Sequence, residues 1–124
     1  CVFAHFMLVW IGRLPVTIAM AKQPTGLDNH YPRQQQSSLT GFGARAHAAN
    51  LNLLESIAPF GIAVLIANVA HANPARSAQL AVAFIVLRVV YLALYLADQA
   101  TARSVVWIAS YLCILGQLVL AAMG

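Results

Sequence analysis

The stretch R-A-H-A-A-N-L-N-L-L-E-S-I-A-P-F-G-I-A-V-L-I-A-N-V-A-H, Arg45 to His71, opens with cationic, amide and carboxylate side chains and closes in an almost unbroken apolar run. A bilayer-spanning helix needs about 20 consecutive, mainly apolar residues. Residues 50–71 meet that length. Positions three, four and seven apart share a helix face, so Arg45, Asn52, Glu55 and Pro59 fall on one stripe. Charge within a bilayer is costly, and such groups therefore face a bundle interior or a watery cavity and not lipid. The stretch predicts a membrane helix that carries a polar stripe into a multi-helix bundle.

Three further apolar segments extend that prediction along the chain. With helices over about 1–21, 50–71, 75–97 and 102–123 and a loop over about 22–44, residues 1–124 read as a single four-helix transmembrane domain. The expected fold class is an all-α membrane protein, a four-transmembrane-helix antiparallel bundle, because the later connections are short. Ala72-Asn73-Pro74 makes one turn, with Pro74 suited to a first helical position. Residues 98–101 make the other, with Thr101 as its N-cap. The longer first connection, rich in Gly, Pro and Gln, reads as a loop. Composition agrees: 61% of residues are hydrophobic and 8% charged, against roughly a quarter charged in soluble domains.

The net charge of +4 comes from seven basic and three acidic residues, too few and too scattered for a nucleic-acid footprint. Nucleic acid is therefore excluded as a partner, and the lipid bilayer takes its place. Cys1 and Cys113 lack metal spacing and give no reason to expect a disulfide. The chain begins at Cys1 already inside an apolar segment, without a basic region before it, which reads as a membrane helix with a clipped start and not as a signal peptide. Lys22, Arg33 and Arg45 flank the first connection and Arg103 the third, while Arg76 alone flanks the second. The positive-inside rule then places connections one and three in the cytoplasm and both termini outside.

Polar residues stripe the later helices too. Arg88, Tyr91, Tyr95 and Asp98 share a face of the third, and Arg103, Trp107 and Tyr111 share a face of the fourth with Ser104 beside them. Counting about 1.5 Å per residue, Glu55 lies close enough in height to be the partner of Arg88. That pair could fix helix register or form part of a site. Asn52 could equally be a bond between helices, and the aromatics ordinary core or interfacial residues. Arg13, in the first helix with Pro15, faces either the same cavity or a neighbouring subunit. His5, His30, His47 and His71 form no pair at metal spacing, and metal ligation is not expected.

The segments R-A-H-A-A-N-L-N-L-L-E-S-I-A-P-F, then R-V-V-Y-L-A-L-Y-L from Arg88, then R-S-V-V-W from Arg103, resemble in that order the MAPEG family, membrane-associated proteins in eicosanoid and glutathione metabolism. The resemblance runs from Asp28 to the end of the chain, and D-N-H-Y-P-R, Asp28 to Arg33, looks like the bacterial variant. It implies a four-helix membrane bundle, a homotrimer, and glutathione held between subunits near the cytoplasmic side of a bacterial inner membrane. Asn52 and Glu55 match residues that contact glutathione, the Glu suited to its γ-glutamyl ammonium. Arg88 matches the helix-three arginine, and Tyr91 and Tyr95 match tyrosines that hold the peptide. Arg45 lies on the same stripe as the helix-two matches. Arg103 matches the arginine beside the thiol and Ser104 its neighbouring serine. A guanidinium near a thiol favours the nucleophilic thiolate, which makes Arg103 the expected activator.

Departures from the family pattern narrow the expectation. Ala48 and Leu51 stand where relatives that bind glutathione well carry arginines, so fewer cations remain for its carboxylates. Tyr91 and Trp107 stand where the prostaglandin-forming member has histidine and tyrosine, and that isomerase activity is not expected. The expected function is glutathione-dependent transfer or peroxide reduction on a lipophilic electrophile. Its rival is a non-enzymatic oligomeric bundle whose buried polar groups are structural or bind another anionic ligand. A transporter is disfavoured, because no internal repeat or broken-helix pair is visible.

Overall fold

A computed structural model describes residues 1–123. Six helices follow in order: α1 (Val2–Ala21), α2 (Pro32–Ser37), α3 (Gly41–Glu55), α4 (Ile57–Val69), α5 (Pro74–Leu96) and α6 (Ala100–Met123). Four helical stretches are long and apolar enough to cross a bilayer: α1, α3 with α4 as one span over Gly41–Val69, α5 and α6. No strand occurs among the described residues. Within each span's most apolar window only 17–28% is buried inside the chain. The remaining faces carry residues such as Phe3, Trp10, Val69 and Val105, each more than 60% exposed, and in a bilayer these meet hydrocarbon or a neighbouring chain.

The second span starts at Gly41, earlier than the apolar run that suggested residue 50. Residues 41–49 include four alanines with Arg45 and His47; alanine and arginine are strong helix formers although the segment is not strongly apolar. The span is interrupted at Ser56, whose backbone remains right-handed helical (φ −83, ψ −6). Pro59 has no N–H to offer the Glu55 carbonyl, so one rung of the ladder is missing there.

The ends of the later spans are built by local chemistry. Asn73 caps α5 by accepting from the Arg76 N–H at 3.0 Å, with Pro74 as first helical residue. His71 and Asp98 take positive φ, 53° and 62°, just past α4 and α5. Closing bonds from Ala72 N to Ala67 O and from Gln99 N to Leu94 O complete a Schellman-type end in each case. The last span begins at Ala100, with Arg103 N bonding Gln99 O, so Thr101 lies inside the first turn and is not its cap.

The first connection is folded. The Gln35 amide donates to Gln23 Oε1 (2.8 Å) and Gly26 O (2.6 Å) and accepts from Asp28 N (2.9 Å). Asp28 in turn accepts from His30 and Tyr31 N–H groups, which sets Pro32 at the start of α2.

Packing within the bundle determines where a cavity opens. The most extensive pairings are α5 with α6 and α1 with α3, followed by α4 with α6. The second span thus leans: its first half rests on α1, its second on α6. Among the described residues α3 and α6 do not pack together. A wedge remains between them, floored by α5. Three small cores hold the rest. Phe60, Ala63, Ala81, Phe84, Cys113 and Ile114 join α4, α5 and α6. Leu8, Ala49, Leu53 and Leu92 join α1, α3 and α5, and Val16, Met20, Leu39 and Ala46 close the loop end. At that end a Cβ on Gly43 would stand 3.0 Å from the Ala19 Cβ and 3.2 Å from the Leu39 Cβ. Gly43→Val is therefore expected to cost about 1–3 kcal/mol by overpacking; an unchanged thermal midpoint in detergent would contradict the close approach of α1 and α3.

Candidate functional site

The wedge between α3 and α6 forms a cleft of about 400 Å³ lined by Asn52, Tyr91, Tyr95, Arg103, Ser104, Trp107 and Ile108. Its position follows from the leaning second span. Its chemistry follows from helical spacing on α5, where Arg88, Tyr91 and Tyr95 occupy one face.

Arg88 is fully buried, and its Nη2 donates to Asn52 Oδ1. The guanidinium lies over the Tyr91 ring at 4.4 Å from its centroid. Tyr91 meets Tyr95 edge-on, with centroids 5.6 Å apart, and Arg103 from α6 lies over the Tyr95 ring at 4.2 Å. Cation, ring, ring and cation follow one another from α5 to α6. Each guanidinium is held by the negative face of a ring; Arg88 is buried, and Arg103, which lines the cleft, has N–H groups for a ligand. No carboxylate lines the cleft, so its fixed charge is positive.

Asn52, Tyr91, Tyr95, Arg103 and Ser104 thus stand together, and Arg88 joins them through Asn52 and Tyr91. Three of the expected site residues do not line the cleft: Arg88, buried behind it, Glu55 and Arg45. Glu55 is exposed, one turn beyond Asn52, and no Arg88–Glu55 ion pair forms. The one ion pair among the described residues is Arg45–Asp98, at 3.8 Å, which ties the start of α3 to the end of α5. Asp98 competes there for the charge that Arg45 would offer a ligand. Ser104 donates its hydroxyl hydrogen to Ala100 O at 3.0 Å, so in this rotamer it offers the cleft a lone pair and Arg103 offers the donors. Arg13 lines a separate groove with Phe6, Val9, Trp10, Asn50, Leu54 and Ile57, apart from the residues around Arg103.

Trp107 and Tyr111 pack at 4.5 Å along α6, so Trp107 and Ile108 form an apolar lip next to the cationic wall. A larger cleft of about 520 Å³ joins the start of α1 to the end of α4 and the start of α5, but no charged side chain lines it. Asn68 and Ser77 are its polar side chains, and it has no cationic side chain to hold an anionic reactant.

Some polar residues were not anticipated. Gln117, fully buried, accepts from Ser77 Oγ and donates to Ser77 O, both at 2.8 Å, locking α6 to α5. Asn50 donates to Val9 O at 2.8 Å between α3 and α1. His5, 1% exposed, reaches Ser56 and the Leu53 carbonyl. A signal for His5 existed, since it shares the spacing of Leu8, Gly12, Val16 and Met20, the buried face of α1.

Four apolar spans, three of which line a cation-and-tyrosine cleft, define an integral membrane bundle with a candidate site of small-molecule size. The chain belongs to the MAPEG family, whose sequence profile matches residues 1–123. No curated protein and no solved structure matches it.

Proposed function

We propose that the cleft binds glutathione and that the protein is a membrane-bound glutathione-dependent transferase or peroxidase acting on lipophilic electrophiles. The observation that carries this reading is the position of Arg103: a guanidinium held on the Tyr95 ring, with free donors, beside an apolar lip. A thiol has an ordinary pKa of about 8.5, and an adjacent cation shifts it towards the thiolate. Arg103 then stabilises the sulfur anion before attack. In the transfer reaction the thiolate forms a C–S bond as the leaving group departs with its electron pair. With a hydroperoxide it attacks the terminal oxygen, the O–O bond breaks and the alkoxide leaves to be protonated to the alcohol, and a second glutathione converts the resulting sulfenic acid to the disulfide and water.

Tyr91 and Tyr95 wall the peptide, Asn52 offers its amide, and Glu55, exposed one turn away, takes the γ-glutamyl ammonium. Family membership supports a homotrimer in which a neighbouring chain covers Glu55 and the open side of the wedge. The basic residues of the first and third connections support a cytoplasmic loop and outward termini, and Asp28 to Arg33 supports a bacterial inner membrane.

Two observations favour a second reading, a bundle without this chemistry or one that binds another anion. Arg45 is engaged by Asp98, and Ala48 and Leu51 bring no cation to α3. Calorimetry separates the two readings. Glutathione titrated into detergent-purified oligomer is expected to bind saturably, and Glu55→Ala to weaken it by about tenfold, the scale of one lost charge-assisted contact. Folded wild type that takes up none at millimolar glutathione would leave the second reading in its place.

A further inference from the structure

The cleft's lining includes no residue of α1, yet α1 sends a buried imidazole to the interrupted point of the second span. His5 Nε2 lies 3.1 Å from Leu53 O and 3.0 Å from Ser56 Oγ. Ser56 Oγ itself donates to Leu53 O at 2.9 Å. A carbonyl can only accept, so Nε2 carries the hydrogen, and the serine oxygen, its own hydrogen already given, accepts alongside. The ring is held edge-on by Phe60 and Phe84, at 5.8 and 5.1 Å between centroids. Those two phenylalanines stack on each other at 4.0 Å.

The location matters because Pro59 removes the rung that would otherwise fix α3 against α4. Ser56 lies one turn from Asn52 on the second span, and Phe84 one turn from Arg88 on α5. Two of the residues that His5 touches, Ser56 and Phe84, therefore flank the two that form the buried Arg88–Asn52 bond. Arg88 has no other polar partner: its Nε and Nη1 are buried without one. A small rotation of α3 would move Asn52 away from it.

We propose that His5 is a positioning residue for the cleft, setting the rotation of α3 at the proline-made gap so that Asn52 meets Arg88 and Arg88 lies over Tyr91. Its effect on ligand binding rests on the glutathione reading above; its effect on Arg88 does not.

The test uses ¹⁵N-arginine-labelled protein in detergent, with the Arg88 Nε–H resonance assigned through Arg88→Lys. His5→Phe keeps the aromatic contacts and removes the donor. His5→Gln keeps an amide donor at similar reach. Gln117→Leu breaks a buried interhelical lock elsewhere and serves as the control for general loosening. His5→Phe is expected to shift or split the Arg88 resonance, with His5→Gln close to wild type and Gln117→Leu without effect. The glutathione dissociation constant should rise about two- to tenfold in His5→Phe, the range of one buried hydrogen bond, and recover in His5→Gln. An unmoved Arg88 resonance in folded His5→Phe overturns the proposal, as does an equal shift in Gln117→Leu. If His5→Phe does not assemble, Ser56→Ala is read in the same way. Wild type that fails to bind glutathione would refute the ligand and leave the resonance to decide the role of His5.

Discussion

Asn52→Leu is expected to destabilise the bundle by about 3–5 kcal/mol, the range for stripping a buried charge of its partner. Arg88 is 0% exposed and its one polar contact is Asn52 Oδ1. Among the described residues no carboxylate lies within ion-pair distance of Arg88, and the ion pair that does form is Arg45–Asp98. Hydrocarbon offers no water to take the place of the amide, and Tyr91 supplies only its ring face. The double variant Asn52→Leu with Arg88→Met removes the charge along with its partner. It should return to within about 1 kcal/mol of wild type or exceed it, because an apolar replacement of a buried polar pair is often neutral or stabilising. Denaturant unfolding in mixed micelles measures both. A single-variant loss below about 1 kcal/mol would mean that Arg88 finds a counter-charge outside its own chain.

The second large effect concerns chemistry and leaves the fold nearly untouched. Arg103→Ala is expected to lower turnover of an activated aryl halide by about 10²–10³, the usual cost of removing one preorganised donor from a developing anion. Folding should change little, since Arg103 is only half-buried and its fixed contact is the Tyr95 ring, worth about 0.5–1 kcal/mol at such sites. The ultraviolet band of bound thiolate at neutral pH should disappear in the same variant. Arg103→Lys should recover part of the rate, since it restores charge without the planar fork. Undiminished turnover in folded Arg103→Ala would assign thiol activation to another group.

The four spans were legible because apolar runs of membrane length are a coarse signal that survives without any knowledge of packing. Hydropathy did not locate the start of the second span, since the helix extends through Gly41–Ala49 on propensity before becoming strongly apolar. It also missed α2, six residues in a Gln-rich segment, although Pro32 ahead of a run free of Gly marks a helix start. The three stripes holding Asn52, Tyr91 with Tyr95, and Arg103 were readable from spacing alone. Their meeting in one cleft was not, because it depends on the lean of the second span. For the same reason spacing allows an Arg88–Glu55 pair that does not form: counting residues along an axis gives height but not the azimuth a tilted helix presents. His5 was overlooked because a single histidine near a helix end has many ordinary explanations, and its partners are a backbone carbonyl and a serine that no residue pattern marks.

The lean of the second span also has a thermodynamic meaning. On the proposed reading, the part of the mouth that a neighbouring chain leaves uncovered faces the plane of the membrane, and a greasy reactant arrives from a solvent in which it is already concentrated and already dehydrated. Little further gain is available from hiding its apolar surface in the protein. Recruitment, on that reading, is the work of oil–water partition and a search in two dimensions, and what remains for a few fixed polar contacts is to bring one reactive atom to the sulfur of the proposed thiol.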